Sequence, residues 1–187
     1  TVLARFQLRR LANDSDACFE ALDRSNLEYS QLPDRPLERG CGIEARTHVV
    51  RSHYAYSSGF EASCGLVAAL YWYEQRLTAL AQEHLKKKIA RIEHYGTFAC
   101  RNIYNRAEAR RSAHATGRAI DIAGFRLEDG TAVSILRDWD ADNAKGRFLT
   151  AARDEACRFF PIVLSPDYNK AHANHFHLET GGFGLCR

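Results

Sequence analysis

The stretch Ser112-Ala113-His114-Ala115-Thr116-Gly117-Arg118-Ala119-Ile120-Asp121-Ile122-Ala123-Gly124-Phe125 sets a single acid inside an apolar run. Residues Ala119–Phe125 read as a buried strand, and an unpaired carboxylate there costs several kcal/mol. Asp121 therefore needs a cation or a strong set of donors. Arg118 offers a salt bridge. His114, seven residues earlier, offers a shared metal ion, because Thr116-Gly117 lets the chain fold back. A second stretch, Asn169-Lys170-Ala171-His172-Ala173-Asn174-His175-Phe176-His177-Leu178-Glu179, holds three of the chain's eight histidines. On a strand His175 and His177 share one face, and Glu179 follows on it. A lone histidine is more often a hydrogen-bonded one than a ligand. The conjunction of His114, Asp121 and the spaced histidines is more specific than any member. A catalytic zinc takes three nitrogen or oxygen ligands and keeps one place open, so the two stretches are expected to meet around one Zn2+ ion.

Outward from these stretches the chain alternates strands and helices. Asn13–Asp16 offers caps for a short helix over Ala17–Leu22. Pro33 and Pro36 mark an irregular connection, and Thr47–Val50 reads as a strand. Ser63 is placed to cap the longest helix, whose apolar positions Leu66, Leu70, Tyr73, Leu77, Leu80 and Leu85 recur at three and four. Strands are expected over Lys88–Tyr95 and Thr97–Tyr104, with Gly96 between them. Glu128-Asp129-Gly130-Thr131 reads as a hairpin turn, since Asp-Gly supplies the positive φ such turns use. Val133, Ile135 and Trp139 are expected on its partner strand. A helix over Lys145–Phe159, capped by Asp142 or Asn143, ends before Pro161. Ile162–Leu164 and His175–Glu179 complete the strands. This order predicts an α+β fold, a mainly antiparallel sheet flanked by helices. Residues 1–60 are expected as an N-terminal helix and irregular segment packed on a catalytic domain of residues 61–187, the whole one compact unit.

The 187 residues suffice for one sizeable core. The longest apolar run, Cys64–Tyr73, is interrupted by Gly65 and stopped by Glu74, too short to span a bilayer. A net charge of +3 lacks the dense basic stripe of a nucleic-acid binder, and Lys86-Lys87-Lys88 reads as a solvated helix end. The six cysteines contain no Cys-x-x-Cys pair, which speaks against a thiolate zinc site or a thioredoxin-type site. Their even number predicts either three disulfides in an oxidising compartment or, alternatively, six buried thiols in a reducing one. Cys18–Cys41, Cys64–Cys100 and Cys157–Cys186 are the expected pairs. The chain opens on Thr1 and has no methionine. A removed secretory segment fits the cysteines, and a chain trimmed by design would read the same.

The pattern Ser112-x-His114-x-x-Gly117-x-Ala119-x-Asp121 followed by His175-x-His177 resembles the zinc peptidases that group with lysostaphin-type enzymes, D-alanyl-D-alanine metallopeptidases and hedgehog domains. The spacing His172-x-x-His175-x-His177 is similar to that of the penicillin-insensitive murein endopeptidases. The stretches His94–Arg106, His114–Phe125 and Pro166–His177 resemble the bacterial extensin-like C-terminal domain, a likeness that runs from about Cys41 to the end. The resemblance implies that His114, Asp121 and His177 hold zinc and that His175 is the catalytic base or orients the water. It implies that Arg101 holds substrate or the developing oxyanion, and that His172 supports the site or touches substrate. The absence of Glu-x-Trp-His from the last motif departs from the dipeptidase branch. The activity implied is a peptidoglycan endopeptidase, a monomer acting on peptide stems of the wall in the periplasm or otherwise exported. The other reading is a non-catalytic zinc module of hedgehog type. Tyr54–Phe60, Trp139 and Tyr168 are expected to wall the groove.

Overall fold

The helix at Cys64 is where the sequence pattern and the tertiary packing coincide most fully. In the computed structural model, which describes residues 2–187, the N-terminal elements are α1 (Val2–Asn13) and α2 (Ser15–Asp23), the latter capped by Asp14, whose side chain accepts the Ala17 amide. Five short strands follow: β1 (Glu28–Gln31), β2 (Arg35–Glu38), β3 (Cys41–Ile43), β4 (Arg46–Arg51) and β5 (Ala55–Ser63). Helix α3 (Cys64–Leu85) then buries Leu66, Leu70, Tyr73 and Leu77, the positions its apolar period selects. Ser63 stands at its N-cap but makes no side-chain capping bond. The Cys64 amide instead donates to the Ala45 carbonyl at 2.8 Å.

The remaining elements are β6 (Ile89–His94), β7 (Ala119–Leu127), β8 (Ala132–Ser134), a short α4 (Ile135–Asp138), α5 (Ala144–Ala156), β9 (Ile162–Leu164), β10 (Phe176–Glu179) and β11 (Leu185–Cys186), with 3-10 turns at Ile103–Asn105, Ala113–Thr116 and Lys170–His172. Asn143 caps α5, accepting the amides of Lys145 and Gly146. Among the described residues nine strands form one sheet in the order β1-β4-β5-β6-β7-β10-β9-β11, with β8 on β7 and with β2-β3 as a separate ribbon. The fold is α+β, and most strand pairs are antiparallel. The sheet is nonetheless mixed, because β5 runs parallel to β6 and β11 parallel to β9. The first of these follows from α3, which carries the chain back along its own length before β6 begins.

Helices α1, α2 and α5 pack on α3. Ile120 and Ile122 of β7 and Phe176 and Leu178 of β10 join α3 in one core. The alternation of strand side chains then turns Asp121 and His177 to the opposite face. Asp121 and His177 are direct partners across the β7–β10 pair.

Three expectations are corrected. Thr97–Tyr104 is not a strand: the Ser112 amide bonds to the Arg101 carbonyl and the Ile103 amide to the Arg110 carbonyl, so the segment is spent lacing the loop that leads to His114. Ile135 and Trp139 leave the hairpin, since β8 ends at Ser134 and α4 begins. The disulfides are Cys18–Cys64, Cys41–Cys100 and Cys157–Cys186. Only the last is the expected pair. Cys64 opens α3 against α2, and Cys41 on β3 lies beside the loop of Cys100, so the first two pairs follow packing rather than closeness in sequence.

Candidate metal centre

His114 owes its position to a small piece of backbone chemistry. Ser112 accepts the His114 amide at 3.3 Å to start the turn, and Gly117 ends it at φ +61°. A side chain at Gly117 would meet Ile43 at 3.2 Å, so glycine is needed for both conformation and space. Asp121 is held by its main chain, donating to the Gly96 carbonyl and accepting the Tyr95 amide. The folded-back loop and the two paired strands bring three atoms together. His114 Nε2 lies 3.2 Å from Asp121 Oδ1 and 3.2 Å from His177 Nδ1, and His177 Nδ1 lies 3.0 Å from Asp121 Oδ1.

The opposite ring nitrogens fix which atoms carry lone pairs. The Thr97 carbonyl only accepts, so His114 Nδ1, at 3.2 Å, is the protonated nitrogen. The Glu179 carboxylate accepts likewise from His177 Nε2 at 3.2 Å. In the neutral rings His114 Nε2 and His177 Nδ1 are then bare lone pairs. A cation placed among two such nitrogens and a carboxylate oxygen satisfies all three. The group can therefore hold a metal ion. Without an ion, protons on these two nitrogens serve Asp121 instead. Burial would raise the Asp121 pKa, but hydrogen bonds from His114 and His177 outweigh it and hold the carboxyl far below the usual range. Burial would lower that of His177, but Asp121 and Glu179 outweigh it and push it up to about 9.

The other predicted residues surround this group. His175 precedes β10 instead of lying on it, yet its Nε2 comes within 3.5 Å of Asp121 Oδ1, while its Nδ1 donates to Asn174 Oδ1 at 2.7 Å. Burial pushes the His175 pKa down, with Asp121 opposing the shift. The His172 ring stands 5.1 Å from His175 and 6.0 Å from His177. Its pKa falls to about 4 through burial and then through the positive fields of His175 and His177. Arg101 is close enough for its charge to lower both His172 and His175, and it has no carboxylate partner among the described residues. Tyr168 is edge-on to His172 at 5.5 Å. Arg118 is not the partner of Asp121. Tyr54, Tyr56 and Phe60 are buried in the core and do not wall a groove; Trp139 is buried against Phe176 and donates to Asp167.

Sequence reasoning did not find Thr97, Asn169 or Asn174. Thr97 acts through its carbonyl, which no side-chain pattern reveals. Asn169 bonds from Nδ2 to the hydroxyl of Tyr104, far off in sequence.

Fold and site together define an α+β protein with three disulfides and a buried His-Asp-His group on one face of a mixed sheet. The chain belongs to the family described as extensin-like protein C-terminus, whose pattern matches residues 16–187. No curated protein and no solved structure matches it.

Proposed function

We propose that the chain is a zinc-dependent peptidoglycan endopeptidase that hydrolyses peptide cross-links of the bacterial wall. The observation that carries this reading is the convergence of His114 Nε2, Asp121 Oδ1 and His177 Nδ1, each histidine tautomer set by a partner, with a third histidine, His175, beside them. Ligands about 2.0–2.1 Å from a tetrahedral zinc ion stand about 3.3 Å from one another; the three atoms are 3.0 to 3.2 Å apart. A set of two imidazoles and one carboxylate suits a first-row transition metal better than calcium or magnesium. Bound zinc would bring the pKa of water toward neutrality and polarise a carbonyl.

The chain's own residues supply the rest. His175, neutral at neutral pH because burial lowers its pKa, takes a proton from the attacking water at Nε2. Arg101 faces the negative charge that develops on the carbonyl oxygen. Glu179 and the Thr97 carbonyl keep the ligand rings in place. Three disulfides fit an oxidising, exported setting, and no described helix is long and apolar enough to cross a membrane.

The test is digestion of purified sacculi by the zinc-loaded protein, followed by separation of monomeric from cross-linked muropeptides. Conversion of dimers to monomers is expected, with the activity lost in His175→Ala while zinc is retained. Intact dimers with zinc bound would leave a non-catalytic zinc module as the better reading.

A further inference from the structure

Beside the centre, Tyr104 is held in a conformation that residues with side chains rarely adopt. Its φ is +53° and that of Asn105 is +55°, and two such residues in succession persist only where the surroundings fix them. Asn169 does so. The Ala171 amide donates to Asn169 Oδ1 at 3.0 Å, which identifies that atom as the oxygen. His172 Nδ1 donates to the same oxygen at 2.8 Å. Asn169 Nδ2 must then donate to the Tyr104 hydroxyl, at 2.9 Å. A phenol that accepts there still has its own proton to give, and among the described residues no acceptor takes it. Tyr104 is 42% exposed, and its ring is edge-on to His172 at 6.3 Å. The Arg106 guanidinium lies 5.7 Å from the centre of that ring.

The surrounding charge has one sign. The segment from Arg101 to Arg118 carries Arg101, Arg106, Arg110, Arg111 and Arg118 against one acid, Glu108. None of the five arginines forms an ion pair among the described residues.

We infer that Tyr104 and Arg106 form a subsite next to the metal centre that takes a carboxylate of the peptide ligand. A phenolic proton and a guanidinium are both donors, and an anionic oxygen satisfies both. Asn169 is the positioning residue: it turns the Tyr104 hydroxyl so that its proton is free, and it joins the subsite to His172. The inference rests on the peptidase reading for its ligand class, so its test reads binding apart from cleavage.

The probe is a short acetylated peptide ending in D-alanine, as the free acid and as the carboxamide, titrated into zinc-loaded protein. The wild type is expected to prefer the acid by about tenfold or more, the usual worth of a charge-assisted hydrogen bond. Tyr104→Phe, which removes the hydroxyl and its bond from Asn169 Nδ2, should lose most of that preference with zinc content unchanged, and Arg106→Gln should lose it too. Acid preference without cleavage would keep the subsite and remove the peptidase reading. Cleavage with equal binding of acid and amide, or a preference intact in both variants, would overturn the subsite.

Discussion

Glu179 decides which nitrogen of His177 faces Asp121. Its carboxylate accepts the hydrogen bond of Nε2 and so leaves Nδ1 for a metal ion. Partners of this kind are worth about 10–100-fold in metal affinity. Glu179→Ala should therefore weaken zinc binding by that factor in competition with a chromophoric chelator, with the fold retained; unchanged affinity would show that strand pairing alone orients His177. Gly117 is the other decisive single residue. Gly117→Ala forces a left-handed alanine against Ile43, at a cost of about 1–3 kcal/mol, and a chemical denaturation midpoint equal to wild type would contradict that account. At this scale the sequence was readable where chemistry and burial conflict. An acid in the apolar run Ala119–Phe125 demanded a partner, and the spaced histidines supplied it. Tyr104 and Thr97 gave no such conflict, since one acts through an unusual backbone turn and the other through its carbonyl.

Helix α3 shows what an apolar period reveals and what it hides. Leu66, Leu70, Tyr73 and Leu77 mark the buried face, but so does Glu74, which is fully buried and which a pattern of apolar residues passes over. The His53 amide donates to it at 3.2 Å and the Tyr56 hydroxyl donates to its other oxygen. Burial, opposed by those bonds, pushes the Glu74 carboxyl up from 4.5 to about 7. The folded chain thus binds this proton more tightly than the unfolded chain. Its stabilising contribution is full below pH 4.5 and is lost as pH rises through 7. The difference is on the order of 3 kcal/mol at most. Glu74→Gln removes the titration while keeping the shape. Between about pH 5 and pH 8 the wild type should lose stability that the variant keeps, as read from denaturant unfolding of both. Parallel pH profiles would show that Glu74 does not titrate in that range. The element most misread, Thr97–Tyr104, has strand-like residues whose backbone bonds go to the His114 loop instead, a tertiary choice that local propensity does not encode.

Over the whole molecule, covalent and metal links do the same work at different places. Cys18–Cys64 ties α2 to the start of α3, Cys41–Cys100 ties the β2-β3 ribbon to the loop before His114, and Cys157–Cys186 ties α5 to β11. A metal ion on His114, Asp121 and His177 would add a fourth tie, pinning β10 and β7 to that loop. Pairing of cysteines was not legible because it depends on how α2 and β3 pack, whereas the α+β class was legible from the order of elements. With free zinc about 1,000-fold above its Kd, binding to the folded chain alone contributes about 4 kcal/mol. For a chain of this size that is a Tm rise of roughly 8–16 °C, which a chelator should abolish in a calorimetric scan. A Tm indifferent to chelation would mean that the fold does not depend on an ion there. The most direct measurement is a zinc titration of chelator-stripped protein by calorimetry, for the wild type and for His114→Ala. One ion per chain in the wild type, with affinity at least a hundredfold weaker in the variant, is the predicted result; no uptake by the wild type, or equal uptake by both, would contradict it.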